Sequence, residues 1–127
     1  MRKILCVGLK DSRIYTILKV LTIERDVKVE HVRFKPAQGG NYVADLVIVN
    51  HGAEAWPKEL TLQLVQIYAR PCGNRPAIPV LLACKYPSDS RLLATVLKAG
   101  GVGLVGRRAS PSEILCAVHA ALSKISK

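Results

Sequence analysis

The sequence predicts an α/β fold in which a parallel sheet carries helices on both faces. Three observations carry this expectation. Short apolar runs recur along the chain, in Lys3-Ile-Leu-Cys-Val-Gly8, Asp45-Leu-Val-Ile-Val-Asn50 and Ile78-Pro-Val-Leu-Leu-Ala83, as in strands buried on both faces. Longer segments between them repeat their apolar residues at helical spacing, and parallel strands require such crossovers, which are right-handed. The 127 residues, 50% of them hydrophobic, are enough for one aliphatic core and too few for a second, so a single domain over residues 1–127 is expected.

Taken in order, Lys3 to Gly8 reads as the first strand, and Ile14, Ile17, Leu18 and Leu21 follow at i, i+3, i+4 and i+7 as a helix. Val27 and Val29, then Val32 and Phe34, alternate with charged residues, which predicts a half-exposed edge strand whose phase shifts near His31 and leaves that histidine at the surface. Lys35 to Ala44 contains Pro36 and Gly39-Gly40, a poor context for a helix, so a loop with at most one turn is expected before the buried strand from Asp45 to Asn50. Pro57 suits the first turn of a helix whose inner side holds Leu60, Leu64, Ile67 and Tyr68 with Val65 alongside.

The turn-forming stretch Arg70 to Pro76 leads into the strand from Ile78 to Ala83. Ser88 is positioned to cap the next helix, with Leu92, Leu93, Val96 and Leu97 inward and Gly100 or Gly101 ending it. Gly101 to Val105 makes a short fifth strand. Ser110-Pro-Ser-Glu113 has capping-box spacing, and Ile114, Leu115, Val118, Leu122 and Ile125 continue the helical period, with His119 on the outer side.

Nineteen Lys and Arg against nine Asp and Glu give a formal charge of +10, which favours anionic partners without choosing among them. The basic residues are dispersed, so no disordered basic arm is indicated. Cys6, Cys72, Cys84 and Cys116 are scattered singly, without metal or redox spacing, and read as small apolar side chains in or near the core. The first apolar run is too short for a spanning helix or a secretory leader, and a cytoplasmic protein is expected. The glycines form neither dinucleotide nor Walker spacing.

The succession from Lys3 to Val7, Asp45 to Asn50 and Ile78 to Cys84, with Leu97-Lys-Ala-Gly100, Gly103-Leu-Val and Ser110 to Glu113, resembles the receiver domains of bacterial response regulators over essentially the whole chain. The resemblance implies a three-layer flavodoxin-like (CheY-like) fold with strand order 2-1-3-4-5, here with a shortened or absent second helix. It also implies a pocket at the carboxyl ends of the strands, where ligands of such sheets bind. Active receivers hold magnesium with acidic residues after strand one, phosphorylate an Asp ending strand three, and use a Thr or Ser after strand four and a Lys after strand five. Here those positions read Gly8 and Leu9, Asn50, Cys84 and Arg107. An amide has no carboxylate nucleophile, magnesium normally takes carboxylate ligands, and Arg does not reproduce a lysine's point charge. The resemblance thus implies a pseudo-receiver without phosphorylation, metal or cofactor.

Lys10, Lys35, Lys85, Arg107 and Arg108 are expected near one edge of the sheet as a candidate anion-binding rim, with ordinary solvated side chains as the plainer and preferred explanation. Cys84 beside Lys85 and Arg107 is a candidate activated thiol. Neither His51 nor any other side chain forms a nucleophile–base set, so no catalytic residue is assigned. The leading expectation is a non-catalytic signalling module acting through a protein partner. That role includes a homodimer through the face made by the last two helices and strand five, around Arg91, Lys98, Arg108 and Ser112 to His119. A nucleic-acid-binding accessory domain is the alternative suggested by charge, without motif support or many aromatic platforms. An anion or small-molecule sensor using the rim is the third.

Overall fold

The computed structural model describes residues 2–8, 13–21, 27–32, 44–51, 58–71, 76–85 and 88–123. Within them run β1 (Arg2–Val7), α1 (Arg13–Leu21), β2 (Val27–Val32), β3 (Leu46–Asn50), α2 (Lys58–Ala69), β4 (Val80–Cys84), α3 (Ser90–Lys98), β5 (Gly103–Gly106) and α4 (Pro111–Ser123). The strands form one parallel sheet in the order β2-β1-β3-β4-β5. This is the flavodoxin-like topology, and it gathers the carboxyl ends of all five strands along one edge. The expectation of a shortened or absent second helix concerns residues 35–44, which apart from Ala44 lie outside the described residues.

Alternation along the strands divides the core in two. On one face Ile4, Cys6, Ile48 and Val105 meet Ile14 and Leu18 of α1 and Ile114, Val118 and Ala121 of α4. On the other, Leu5, Val7, Val49 and Leu82 meet Leu64, Val65 and Tyr68 of α2 and Val96 of α3. Each fully buried aliphatic side chain contributes roughly 1.5–3 kcal/mol, so these two layers supply most of the drive to fold.

Several expectations are corrected. The fourth strand begins at Val80, not Ile78. Ile78 and Pro79 are buried and lead into it, with the Ile78 amide donating to Tyr68 and the Pro79 carbonyl accepting from Val47; proline has no N–H to give to the ladder. The fifth strand runs Gly103–Gly106, because Gly101 is used to finish α3. Its amide donates to the Val96 carbonyl and that of Gly100 to the Leu97 carbonyl, the paired bonds of a Schellman ending. Gly100 has φ +102°, and a Cβ at Gly101 would lie 2.5 Å from Val96 Cγ1, so each position requires glycine for its own reason.

The cap of α3 is Asp89, not Ser88: its Oδ1 accepts from the amides of Arg91 and Leu92 at 3.0 and 3.2 Å. A carboxylate there also meets the positive end of the helix dipole. The capping box of α4 forms as expected, Ser110 Oγ accepting from the Glu113 amide and Glu113 Oε1 from the Ser110 amide. β2 pairs with β1 without interruption to Val32, so no phase shift occurs up to that residue. His31 therefore keeps to the inner side with Val27 and Val29 and is half-buried, its ring edge-on to Tyr15 at 5.8 Å. Phe34, which the expected strand included, lies outside the described residues.

The remaining correction is the largest. Of the four apolar residues expected inside α3, only Val96 is buried and Leu92 is half-buried, while Leu93 and Leu97 are 36% and 49% exposed. Among the cysteines, Cys6 and Cys84 are buried, Cys116 is exposed and not in the core, and Cys72 lies outside the described residues. No helix among the described residues is long and apolar enough to cross a membrane.

Candidate functional site

The edge formed by the carboxyl ends of the strands is built from backbone outward. Gly8 leaves β1 with φ 72°, a left-handed conformation that glycine adopts without strain. On the neighbouring strand Asn50 is the last residue of β3, and its Nδ2 donates to the Gly8 carbonyl at 3.1 Å. The His51 amide then donates to the Ala83 carbonyl at 2.8 Å, and the Arg107 amide to the Cys84 carbonyl at 2.9 Å. The rim residues that follow β3 and β5 are thus each tied to the adjacent strand before the chain departs.

At the fifth strand, the Ala109 amide donates to the Gly106 carbonyl at 3.1 Å, closing a turn with Arg107 and Arg108 at its centre. Ala109 is buried and anchors this turn, leaving Arg107 half-buried and Arg108 exposed. Lys85 is exposed just beyond β4, whereas Cys84 is buried as the final residue of that strand. The fold brings Lys85, Arg107 and Arg108 to one edge with Gly8, Asn50 and Cys84. Leu9, Lys10 and Lys35 lie outside the described residues.

Asn50 fixes what this edge can do chemically. Its amide nitrogen is used on a carbonyl oxygen, a partner that accepts and never donates. A carboxylate in the same rotamer would set two acceptors against each other at that distance, so the position favours an amide by its own surroundings. The other half of the side chain, Oδ1, is buried and has no hydrogen-bond partner among the described residues. Burial also governs Cys6, whose thiol is pushed up to about 12 from 9.0 because its charged form would lose hydration.

Two features escaped the reading of the sequence. Thr61 of α2 is fully buried, its hydroxyl without a partner among the described residues; a threonine among leucines carries no signal for that. The exposed pair Leu93 and Leu97 was hidden by its helical spacing, which marks an apolar stripe without saying what covers it. At the other end of the sheet, Asp45 accepts from the Lys3 amide at 2.7 Å and Glu30 pairs with Lys28 and Lys3 at 2.9 Å. Hydrogen bonds from Lys28 and then Lys3 hold the Glu30 carboxyl below its usual range.

Neither a protein-family model nor a curated protein sequence matches this chain. Solved structures do share its fold. A response regulator from Thermotoga maritima is 20% identical, with 97% of this chain and 99% of that one covered and a TM-score of 0.72. The receiver domain of a Francisella response regulator is 14% identical over 99% and 100% of the two chains, with a TM-score of 0.70. A pilus assembly-related protein of Burkholderia pseudomallei is 16% identical over 100% of this chain and 93% of that one, with a TM-score of 0.75. The chain therefore has the CheY-like receiver fold.

Proposed function

We propose that this chain is a receiver-like regulatory module, a pseudo-receiver that signals through protein–protein contact in the cytoplasm without accepting a phosphoryl group and without being an enzyme. The observation that carries this is the Asn50 amide donating to the Gly8 carbonyl at 3.1 Å. The position that ends β3 is occupied by a group that has no carboxylate nucleophile and is hydrogen-bonded as an amide. Glycine and leucine stand where acidic side chains would bind magnesium, and Arg107 where a lysine would meet a phosphoryl group.

The test is an amide NMR titration with magnesium and beryllofluoride on the native chain and on Asn50→Asp. No saturable, magnesium-dependent shift at residues 50, 84 and 107 is expected in either, because a restored carboxylate would still lack the acidic pair and the lysine. Saturable shifts in the native chain would overturn the reading.

A second reading, binding of nucleic acid, rests on the +10 charge. Its signature is an affinity for duplex or single strands that falls steeply with salt. The rim of Lys85, Arg107 and Arg108 would serve such a ligand or a small anion, and charge reversal at Lys85 and Arg107 would then weaken binding.

A further inference from the structure

We infer that the open edge of β2 joins the same strand of a second copy, antiparallel about a two-fold axis at Val29, so that Lys28 of each chain meets the partner's Glu30. β2 ends the sheet: it pairs with β1 on one side and, among the described residues, with no strand on the other. Backbone N–H and C=O groups along such an edge are a template for a further strand. At 6 residues, Val27–Val32 has the usual length of a paired strand. Such a dimer would hold whether or not the carboxyl ends of the strands accept a phosphoryl group.

Charged side chains at an edge ordinarily block strand pairing, but the order of charges on β2 favours it. Lys28 and Glu30 stand two residues apart and share one face of the strand, where Glu30 pairs with both Lys28 and Lys3 at 2.9 Å. The Lys28 side chain is 60% exposed, and an ammonium has three donors, of which the Glu30 pair uses one.

Symmetry then selects the register. A two-fold relating two edge strands runs perpendicular to the sheet and keeps each face on its own side, so it passes at a residue and never between two. An axis at Lys28 sets lysine opposite lysine, and one at Glu30 sets glutamate opposite glutamate; like charges directly opposite are destabilising. The axis at Val29 places Lys28 opposite the partner's Glu30 on both sides of the dyad. It also sets Val29, buried on the face that α1 covers, opposite its own counterpart. Lys28-Val29-Glu30 is thus complementary to itself read backward, which specifies a second copy, whereas a nucleic acid would meet Glu30 as a like charge. The +10 charge of each chain opposes association, and the contact is small, so a weak dimer is expected, with Kd on the order of 100 μM.

The test is sedimentation of the native chain and its variants from about 10 μM to about 1 mM. The native chain is expected to dimerise over this range. Lys28→Glu alone and Glu30→Lys alone are each expected to weaken the dimer at least about tenfold, since each sets like charges across the axis. An equal mixture of the two variants is expected to associate again, because an all-acidic strand then faces an all-basic one; damage to the fold by either substitution would not be repaired by mixing. The double variant carrying both changes stays self-complementary and is expected to dimerise as the native chain does. Leu93→Ser with Leu97→Ser, on α3, is expected to leave the dimer unchanged. A native chain that stays monomeric throughout, single variants that associate undiminished, a mixture no tighter than its components, or loss of the dimer in the leucine variant would each overturn the inference.

Discussion

The two faces of the sheet are covered unequally. On one, α1 and α4 bring Ile14, Leu18, Ile114, Val118 and Ala121 into the core. On the other, α2 brings Leu64, Val65 and Tyr68, but α3 contributes Val96 alone as a fully buried side chain. Both α3 and α4 flank β5, both are capped, and both read as amphipathic. The contrast teaches that helical period identifies an apolar stripe, while the neighbouring elements decide whether that stripe is core or surface. On α4 the stripe faces the sheet; on α3 half of it faces outward.

The contrast can be broken most directly by truncating one residue on each helix. Ile114→Ala, at a site 1% exposed, is expected to cost about 2–5 kcal/mol in urea unfolding, and Leu93→Ala less than about 1 kcal/mol. Comparable losses would mean that Leu93 is buried and that α3 is no freer than α4.

Alkali probes the sealed face through Cys6. Burial holds its thiol neutral to about 12 against 9.0 in the open chain, so below the lower value both states are protonated and stability is unaffected. Above it the unfolded chain ionises first, and stability falls by up to about 1.4 kcal/mol per pH unit until the folded pKa is reached. Native protein is therefore expected to lose stability more steeply than Cys6→Ala between about pH 9 and 10.5 under reducing conditions. Parallel slopes would show that the thiol ionises as freely as in the unfolded chain.

A comparable effect is expected at the junction of the looser face. Gly101→Ala would set a methyl 2.5 Å from Val96 Cγ1 and 3.3 Å from Val65 Cγ1, and a loss of about 1–3 kcal/mol is expected from overpacking. A neutral result would mean that α3 shifts outward at little cost, which would sharpen the picture of a lightly held helix.

How far the sequence could be read follows from the range of the forces. The buried strands, the capping box at Ser110 and Glu113 and the glycine stop after α3 were legible, because apolar runs, caps and left-handed turns are local. The side of His31 is not legible from the alternation of its flanks, because the pairing of β2 with β1 fixes it. The cap of α3 is ambiguous by one residue in the sequence, because Ser88 and Asp89 both suit that role and only the path of the chain selects Asp89. At the candidate site the residue types were legible at positions 8, 50, 84 and 107; the hydrogen bond between Asn50 and Gly8 was not, since it joins residues 42 apart.

By itself the sequence determined a parallel α/β architecture, a strongly basic surface and an amide where the family likeness places a carboxylate, because each depends on residue type and short-range period. Only the tertiary structure decided that the Asn50 amide is bound to the end of β1, that Cys6 is sealed, and that Leu93 and Leu97 face outward. Those outcomes depend on which surfaces the folded chain brings into contact, and burial belongs to the pair of surfaces that meet.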